Sequence, residues 1–266
     1  MEGIKTIVFD LDGTIYQNNS FHPAYIRFLL EGSGREDWAD ALVAFIDGVY
    51  RGEHLVMNAC YDLKPIEADR VADYLEALGR LKPADLDFDE AFARRDCIYL
   101  GDAWAVVNFI GSTLGLLDGD RGDIVYKKTR EQMSADGMRG NMRLRRAIVE
   151  LGKRYKTVLL TNSYRETAED FLRQLGFDGV FRQTVYSANK PWALIENLAA
   201  QCPEVAREPQ SVLSIGDHAF NDLMPMQRLG CKALWINPFR NIHEPAYDLS
   251  VSTLDQLACC LEDMCR

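Results

Sequence analysis

The chain of 266 residues has no apolar run long enough to span a bilayer. Its longest mostly apolar stretch, residues 103–117, is interrupted by Asn108, Ser112 and Thr113, and a membrane helix takes ~20 apolar residues. A buried helix is the better reading, and no membrane partner is expected. Basic charge is in deficit: 30 Lys and Arg stand against 40 Asp and Glu, a net charge of −10. Such a surface repels phosphate backbones and argues against a nucleic acid polymer as partner. The first residues lack the basic start, apolar stretch and small-residue cleavage site of a secretory signal. The cysteines, at positions 60, 97, 202, 231, 259, 260 and 265, are odd in number and irregular in spacing. They read as reduced, mostly packed thiols of a cytoplasmic protein, not as a disulfide framework or a zinc site. Internal repeats, Pro/Gly/Ser-rich linkers and long charge runs are missing too. With 47% hydrophobic and 26% charged residues, a disordered or low-complexity chain is excluded.

What is present is a set of short strand-like runs at 5–9, 156–160, 180–186, 211–215 and 232–236. Several are apolar at successive positions, the pattern of parallel strands covered on both faces. Helical patterns lie between the later ones. Ser163-Tyr-Arg-Glu166 has the form of a capping box, opening a helix that Gly176 would end. Pro191 suits the first residue of a helix over 192–201. Thr253-Leu-Asp-Gln256 opens a last helix with Leu254, Leu257, Leu261 and Met264 on one face. From about residue 141 onward strand and helix alternate, the signature of an α/β, doubly wound parallel sheet. The run at 5–9 belongs to that sheet by its character. Between them the patterns at 23–31, 36–50, 65–81 and 103–117 are helical, with no clear strand. The expectation is a Rossmann-like core of residues 1–16 and 139–266, with a mainly helical domain of residues 17–138 inserted after the first strand.

Four segments bear chemistry. The first strand ends in Asp10-Leu-Asp12-Gly-Thr14. Alternate residues of an extended chain face the same way, so Asp10 and Asp12 can address one site, and Gly13 permits a sharp turn there. Two adjacent acids are costly unless a cation or separate roles keep them apart. The second segment, Leu160-Thr161-Asn162-Ser163, joins a hydroxyl, an amide and a helix start, which suits an anion; taken alone it reads as a simple helix cap at Ser163. Lys190 stands at a predicted helix start, the end that the helix dipole makes unfavourable for a cation. Neutralising an anionic substrate and lying on an ordinary surface are both open to it. The last segment, Gly216-Asp217-His-Ala-Phe-Asn221-Asp222, brings two more carboxylates to the same sheet edge. Hard oxygen ligands in such a cluster favour Mg²⁺ over zinc.

The order acid pair, Thr, Lys, acid pair resembles the haloacid dehalogenase-like hydrolase superfamily, whose four motifs match Asp10/Asp12, Thr161, Lys190 and Asp217/Asp222. The resemblance covers roughly residues 1–16 and 141–250, and the place of the insertion is similar to that of the family's helical cap. The runs Asp12-Gly-Thr-Ile-Tyr16 and Thr161-Asn162 are similar to the pyrimidine 5′-nucleotidase-like branch. The resemblance implies a phosphatase acting on a small phosphorylated metabolite, such as a nucleotide or sugar phosphate. Asp10 would be the nucleophile and Asp12 the general acid and base. Mg²⁺ would be held by Asp10, Asp217 and the backbone carbonyl of Asp12, with Asp222 behind them. Thr161, the backbone around Asn162, and Lys190 would hold the phosphoryl oxygens. A second acid argues against dehalogenation, and ion-pumping ATPases need membrane helices. A phosphonatase needs an amine from the insertion, where Lys64, Lys82, Lys127 and Lys128 lie. A phosphomutase shares every core residue. A phosphate-binding scaffold without catalysis is the alternative from another class, against which the intact acids and Lys190 speak.

Overall fold

The computed structural model describes residues 3–17 and 20–266. In chain order the elements are β1 (Thr6–Phe9), α1 (His22–Leu30), α2 (Ala39–Arg51), β2 (Cys60–Asp62), α3 (Val71–Gly79), α4 (Phe88–Ala93), β3 (Cys97–Tyr99), α5 (Ala103–Thr113) and α6 (Arg121–Asp136). There follow α7 (Met142–Leu151), β4 (Lys156–Leu160), α8 (Arg165–Leu175), β5 (Gln183–Val185), α9 (Leu194–Gln201), α10 (Glu204–Arg207), β6 (Val212–Gly216), α11 (Met224–Arg228), β7 (Lys232–Ile236), β8 (Leu249–Val251) and α12 (Leu254–Met264).

The chain divides into two units. One comprises Met1–Gln17, Gly137–Pro238 and Pro245–Arg266; the other comprises Asn18–Asp136 with Phe239–Glu244. The first is an α/β unit around a sheet of order β5-β4-β1-β6-β7-β8, every neighbouring pair parallel. β1 lies inside the sheet, with Val8 level with Val158 on one side and Ser214 on the other. All four of its residues are buried, which is why this run is apolar at successive positions and not at alternate ones. The chain passes from β1 to β4 on one flank and reaches β6 on the other. The order of strands therefore reverses at β1, and doubly wound sheets open a crevice at the carboxyl ends of the strands at such a point.

Local signals set the covering helices. Thr253 accepts a hydrogen bond from the Gln256 N–H at 3.2 Å and opens α12, whose Leu257 and Leu261 are buried. α8 ends at Gly176, whose φ of 75° is left-handed. The apolar face of α9, Leu194 and Leu198, packs with Val8, Val158, Val212, Cys202 and Cys231 in one cluster. All seven cysteines are free thiols, and burial pushes the Cys231 thiol up to about 11. No helix among the described residues is long and apolar enough to cross a membrane.

The second unit is mainly helical. Where no clear strand was expected, β2 and β3 pair antiparallel, Tyr61 opposite Ile98. Strands of three residues are too short to display the alternation by which a strand is read from sequence. Residues 65–70 are not helical, and α3 starts only at Val71. α6 was not legible because it lacks an apolar stripe; its buried face is Val125, Thr129, Arg130 and Met133. In the first unit β8 was missed, again a three-residue strand.

Ile7 is fully buried in β1, whereas Leu229 is 38% exposed. Ile7→Ala should lower unfolding free energy by ~2–5 kcal/mol and Leu229→Ala by less than ~0.5 kcal/mol. Urea titrations of the two variants check the ranking.

Candidate active site

Three neighbouring strands deliver the site. β1 runs into Asp10, whose N–H donates to the Ile215 carbonyl of β6 at 2.9 Å. The chain then turns at Gly13, with φ of 78°. A Cβ there would collide with the Asp217 carboxylate, so the glycine serves both the left-handed turn and the close approach of the two loops. β4 runs into Thr161, and β6 ends in Gly216 and Asp217. At Gly216 a Cβ would run into the Asp222 side chain.

The carboxylates of Asp10, Asp217 and Asp222 are all buried, each offering an oxygen within 4.8 Å of the others. Lys190 lies among them. Its Nζ donates to Asp10 Oδ1 and to Asp222 Oδ1, both at 2.6 Å, and the residue is 4% exposed. Burial alone would pull the Lys190 amine down. The charges of Asp10 and Asp222 outweigh it and hold the amine above its ordinary range. Asp10 moves up to about 8: burial raises it most, Asp222 and Asp12 add to the rise, and Lys190 opposes it. Three buried carboxylates face one ammonium here. An all-oxygen, buried, negatively charged donor set of this kind fits a hard divalent cation such as Mg²⁺.

Asp222 sits on a single π-helical turn, Ala219–Leu223, opened by His218, whose Nδ1 accepts from the Asn221 N–H at 3.3 Å. Its Oδ2 accepts from the His218 N–H at 3.2 Å, and its carbonyl accepts from Ser214 Oγ at 2.7 Å. Both carboxylate oxygens of Asp222 thus have protein partners. Asp217 is fixed through its carbonyl, which accepts from Trp235 Nε1 at 2.9 Å.

Lys190 reaches the site on a loop stitched to the end of β4. The Ser187 N–H donates to the Ser163 carbonyl at 3.1 Å and the Ala188 N–H to the Thr161 carbonyl at 2.9 Å. Asn162 closes the seam: its Oδ1 accepts from the Lys190 N–H at 2.7 Å and its Nδ2 donates to the Lys190 carbonyl at 3.2 Å. The side chain of Asn162 is thereby committed to the lysine backbone, which leaves the backbone around Asn162 for the phosphoryl oxygens expected there. Ser187 and Asn189 adopt left-handed φ of 48° and 49°, a backbone cost this seam offsets. Lys190 does not stand at a helix start, because α9 begins only at Leu194. The helix expected from Pro191 onward is preceded by this pinned turn.

Ser163 is not the helix cap either. The N-cap of α8 is Tyr164, with no side-chain bond. The Ser163 N–H instead donates to Thr161 Oγ1 at 3.0 Å, and its hydroxyl donates to Asp12 Oδ2 at 2.9 Å. The Tyr16 hydroxyl donates to Asp12 Oδ1. Asp12 thus stands outside the buried carboxylate group, held by two hydroxyls. Sequence reasoning missed Tyr16 and Ser163 as site residues. The capping pattern at Ser163 pointed elsewhere, and nothing local marks Tyr16 as a partner of Asp12.

The sequence matches a family model described as haloacid dehalogenase-like hydrolase over residues 4–230. No curated protein sequence matches. Among solved structures, similarity extends to the Bacillus subtilis protein YfnB, described as a HAD-type hydrolase bound to magnesium, at 17% identity and a TM-score of 0.58, covering 98% of this chain and 99% of that one. A haloacid dehalogenase-like hydrolase of Bacteroides fragilis is similar at 16% identity and a TM-score of 0.56, covering 96% and 99%. A HAD phosphatase of Thermococcus onnurineus is similar at 17% identity and a TM-score of 0.52, covering 97% and 98%. At these identities the likeness is one of fold.

Asn162→Ala deletes both bonds to the Lys190 backbone. It should lower unfolding free energy by about 1–2 kcal/mol. Thermal unfolding beside the parent protein checks it; an unchanged melting temperature would show that the seam holds without Asn162.

Proposed function

Since the chain belongs to the haloacid dehalogenase-like hydrolases, we propose that it is a Mg²⁺-dependent phosphatase of a small phosphorylated metabolite, a phosphate monoester such as a nucleotide or sugar phosphate. The observation that carries this reading is the pairing of two unlike acids on one loop. Asp10 is buried against Lys190, and Asp12 is half-buried and held by hydroxyls. Dehalogenation has no use for a second acid so placed, whereas a phosphate ester requires one.

In the proposed sequence an Asp10 oxygen attacks phosphorus while the bond from phosphorus to the leaving oxygen breaks, giving an aspartyl-phosphate. The Asp12 proton goes to the leaving alcohol. Water then attacks phosphorus, its proton passes to Asp12, and the bond from phosphorus to Asp10 breaks. Phosphoryl transfer asks the protein chiefly for position and charge. Lys190 supplies one positive charge. Thr161 Oγ1 accepts from the Ser163 N–H, which leaves its own O–H to donate to a phosphoryl oxygen. Asn162 acts by holding Lys190 in place. Asp10 and Asp217, with the Asp12 carbonyl, would hold Mg²⁺, which when bound would supply charge that offsets the phosphate. Asp222, with both oxygens engaged, stands behind that set and orients Lys190. The inserted unit holds none of these residues, and choice among substrates is the role we assign to it.

Asp10→Asn should abolish turnover of phosphate esters while the protein stays folded. Chelation should stop the parent enzyme and added Mg²⁺ restore it. Phosphate-release assays over a panel of phosphorylated metabolites, with circular dichroism of the variant, test both. Multiple turnovers by Asp10→Asn, or full activity after exhaustive chelation, would sink the reading.

A further inference from the structure

Lys190 bonds Asp10 and Asp222, whereas the two oxygens of Asp12 are held by hydroxyls from two separate parts of the unit. The Tyr16 hydroxyl donates to Oδ1 from the turn that follows β1. Tyr16 is 4% exposed, and its ring meets Phe171 of α8 edge-on, with centroids 5.8 Å apart and planes at 78°. The phenol is therefore anchored by packing that does not depend on Asp12. The Ser163 hydroxyl donates to Oδ2 at 2.9 Å from the loop after β4. That loop is itself fixed, through the Ser163 N–H on Thr161 Oγ1 and the Ser163 carbonyl on the Ser187 N–H. A carboxylate with one tether still turns about its last torsion, which has broad wells. One held at each oxygen by a rigid hydroxyl has its plane defined.

We infer that Tyr16 and Ser163 are positioning residues for Asp12, their hydroxyls aiming its carboxyl group at the leaving oxygen. The inference rests on the phosphatase reading above. Hydroxyls suit the task because each can donate to a carboxylate or accept from a carboxylic acid. When Asp12 gives its proton to the departing alcohol, the hydroxyls donate to the carboxylate that results. When Asp12 takes the proton from the attacking water, one of them turns to accept. An amine or guanidinium in their place would serve only the first state. Both hydroxyls bond the acid that handles the proton. Their effect falls on proton transfer, which matters most when the leaving alcohol is poor.

The test compares single-turnover phosphoenzyme formation from an alkyl phosphate and from an activated aryl phosphate. The proteins are the parent, Tyr16→Phe, Ser163→Ala and Asp12→Asn, with Tyr16→Phe also made on the Asp12→Asn background. Tyr16→Phe keeps the ring on Phe171 and removes only the hydroxyl. Each hydroxyl deletion should slow the alkyl substrate roughly ten- to a hundredfold and the aryl substrate by no more than about twofold. On the Asp12→Asn background, Tyr16→Phe should change neither rate, because the carboxyl group that it aims has gone. Equal losses on both substrates, or a further loss on that background, would overturn the positioning role. So would an unchanged alkyl rate in Tyr16→Phe when Asp12→Asn is impaired; that result leaves the phosphatase reading intact. A parent protein that turns over neither ester overturns the reading and the inference together. Should Ser163→Ala fail to fold, Tyr16→Phe decides alone.

Discussion

Everything at this site turns on an ammonium buried between carboxylates. Lys190 bonds Asp10 and Asp222 at 2.6 Å each, with all three residues less than a tenth exposed. A charge in such a place is tolerable only when its partners meet it with good geometry. That requirement ties together chain segments far apart in sequence: the end of β1, the loop after β5 and the turn after β6. Each has its own device for being there on time and in register. Gly13 and Gly216 leave out the Cβ atoms that would strike Asp217 and Asp222. A π-helical turn aims Asp222, in keeping with the frequent use of such turns at functional sites.

The same cluster has more acid than base. Lys190 answers one carboxylate's worth of charge, and Asp10 rises to about 8, through burial first, with Lys190 opposing and Asp222 and Asp12 adding to the rise. A site so composed suits a hard cation and then an anion, the order that the proposed metal-assisted phosphatase needs. The unlike surroundings of Asp10 and Asp12 suit the different work proposed for them: one is buried against a cation, the other is half-buried and bonded by hydroxyls. Unequal environments are the usual way for paired carboxyl groups to divide roles.

The sequence by itself determined the sheet, most of its strand positions and the sheet edge where chemistry collects. Buried parallel strands must be apolar along their whole length, and the residue just past each strand lies at the carboxyl edge, so Asp10, Thr161 and Asp217 were placed by a one-dimensional rule. Only the tertiary structure decided which groups touch. Ser163 has the sequence surroundings of a helix cap, yet its hydroxyl goes to Asp12, 151 residues away. Asn162 looks like an anion ligand, yet its amide pins the Lys190 backbone. Lys190 was expected at a helix start and lies instead in a turn ahead of α9. For Ser163 and Asn162 a local pattern offered one hydrogen-bond partner, and another arrived from a segment distant in sequence. Local preferences of about 1 kcal/mol yield to partners that folding brings within reach inside a buried, charged site, where an unmade bond costs more.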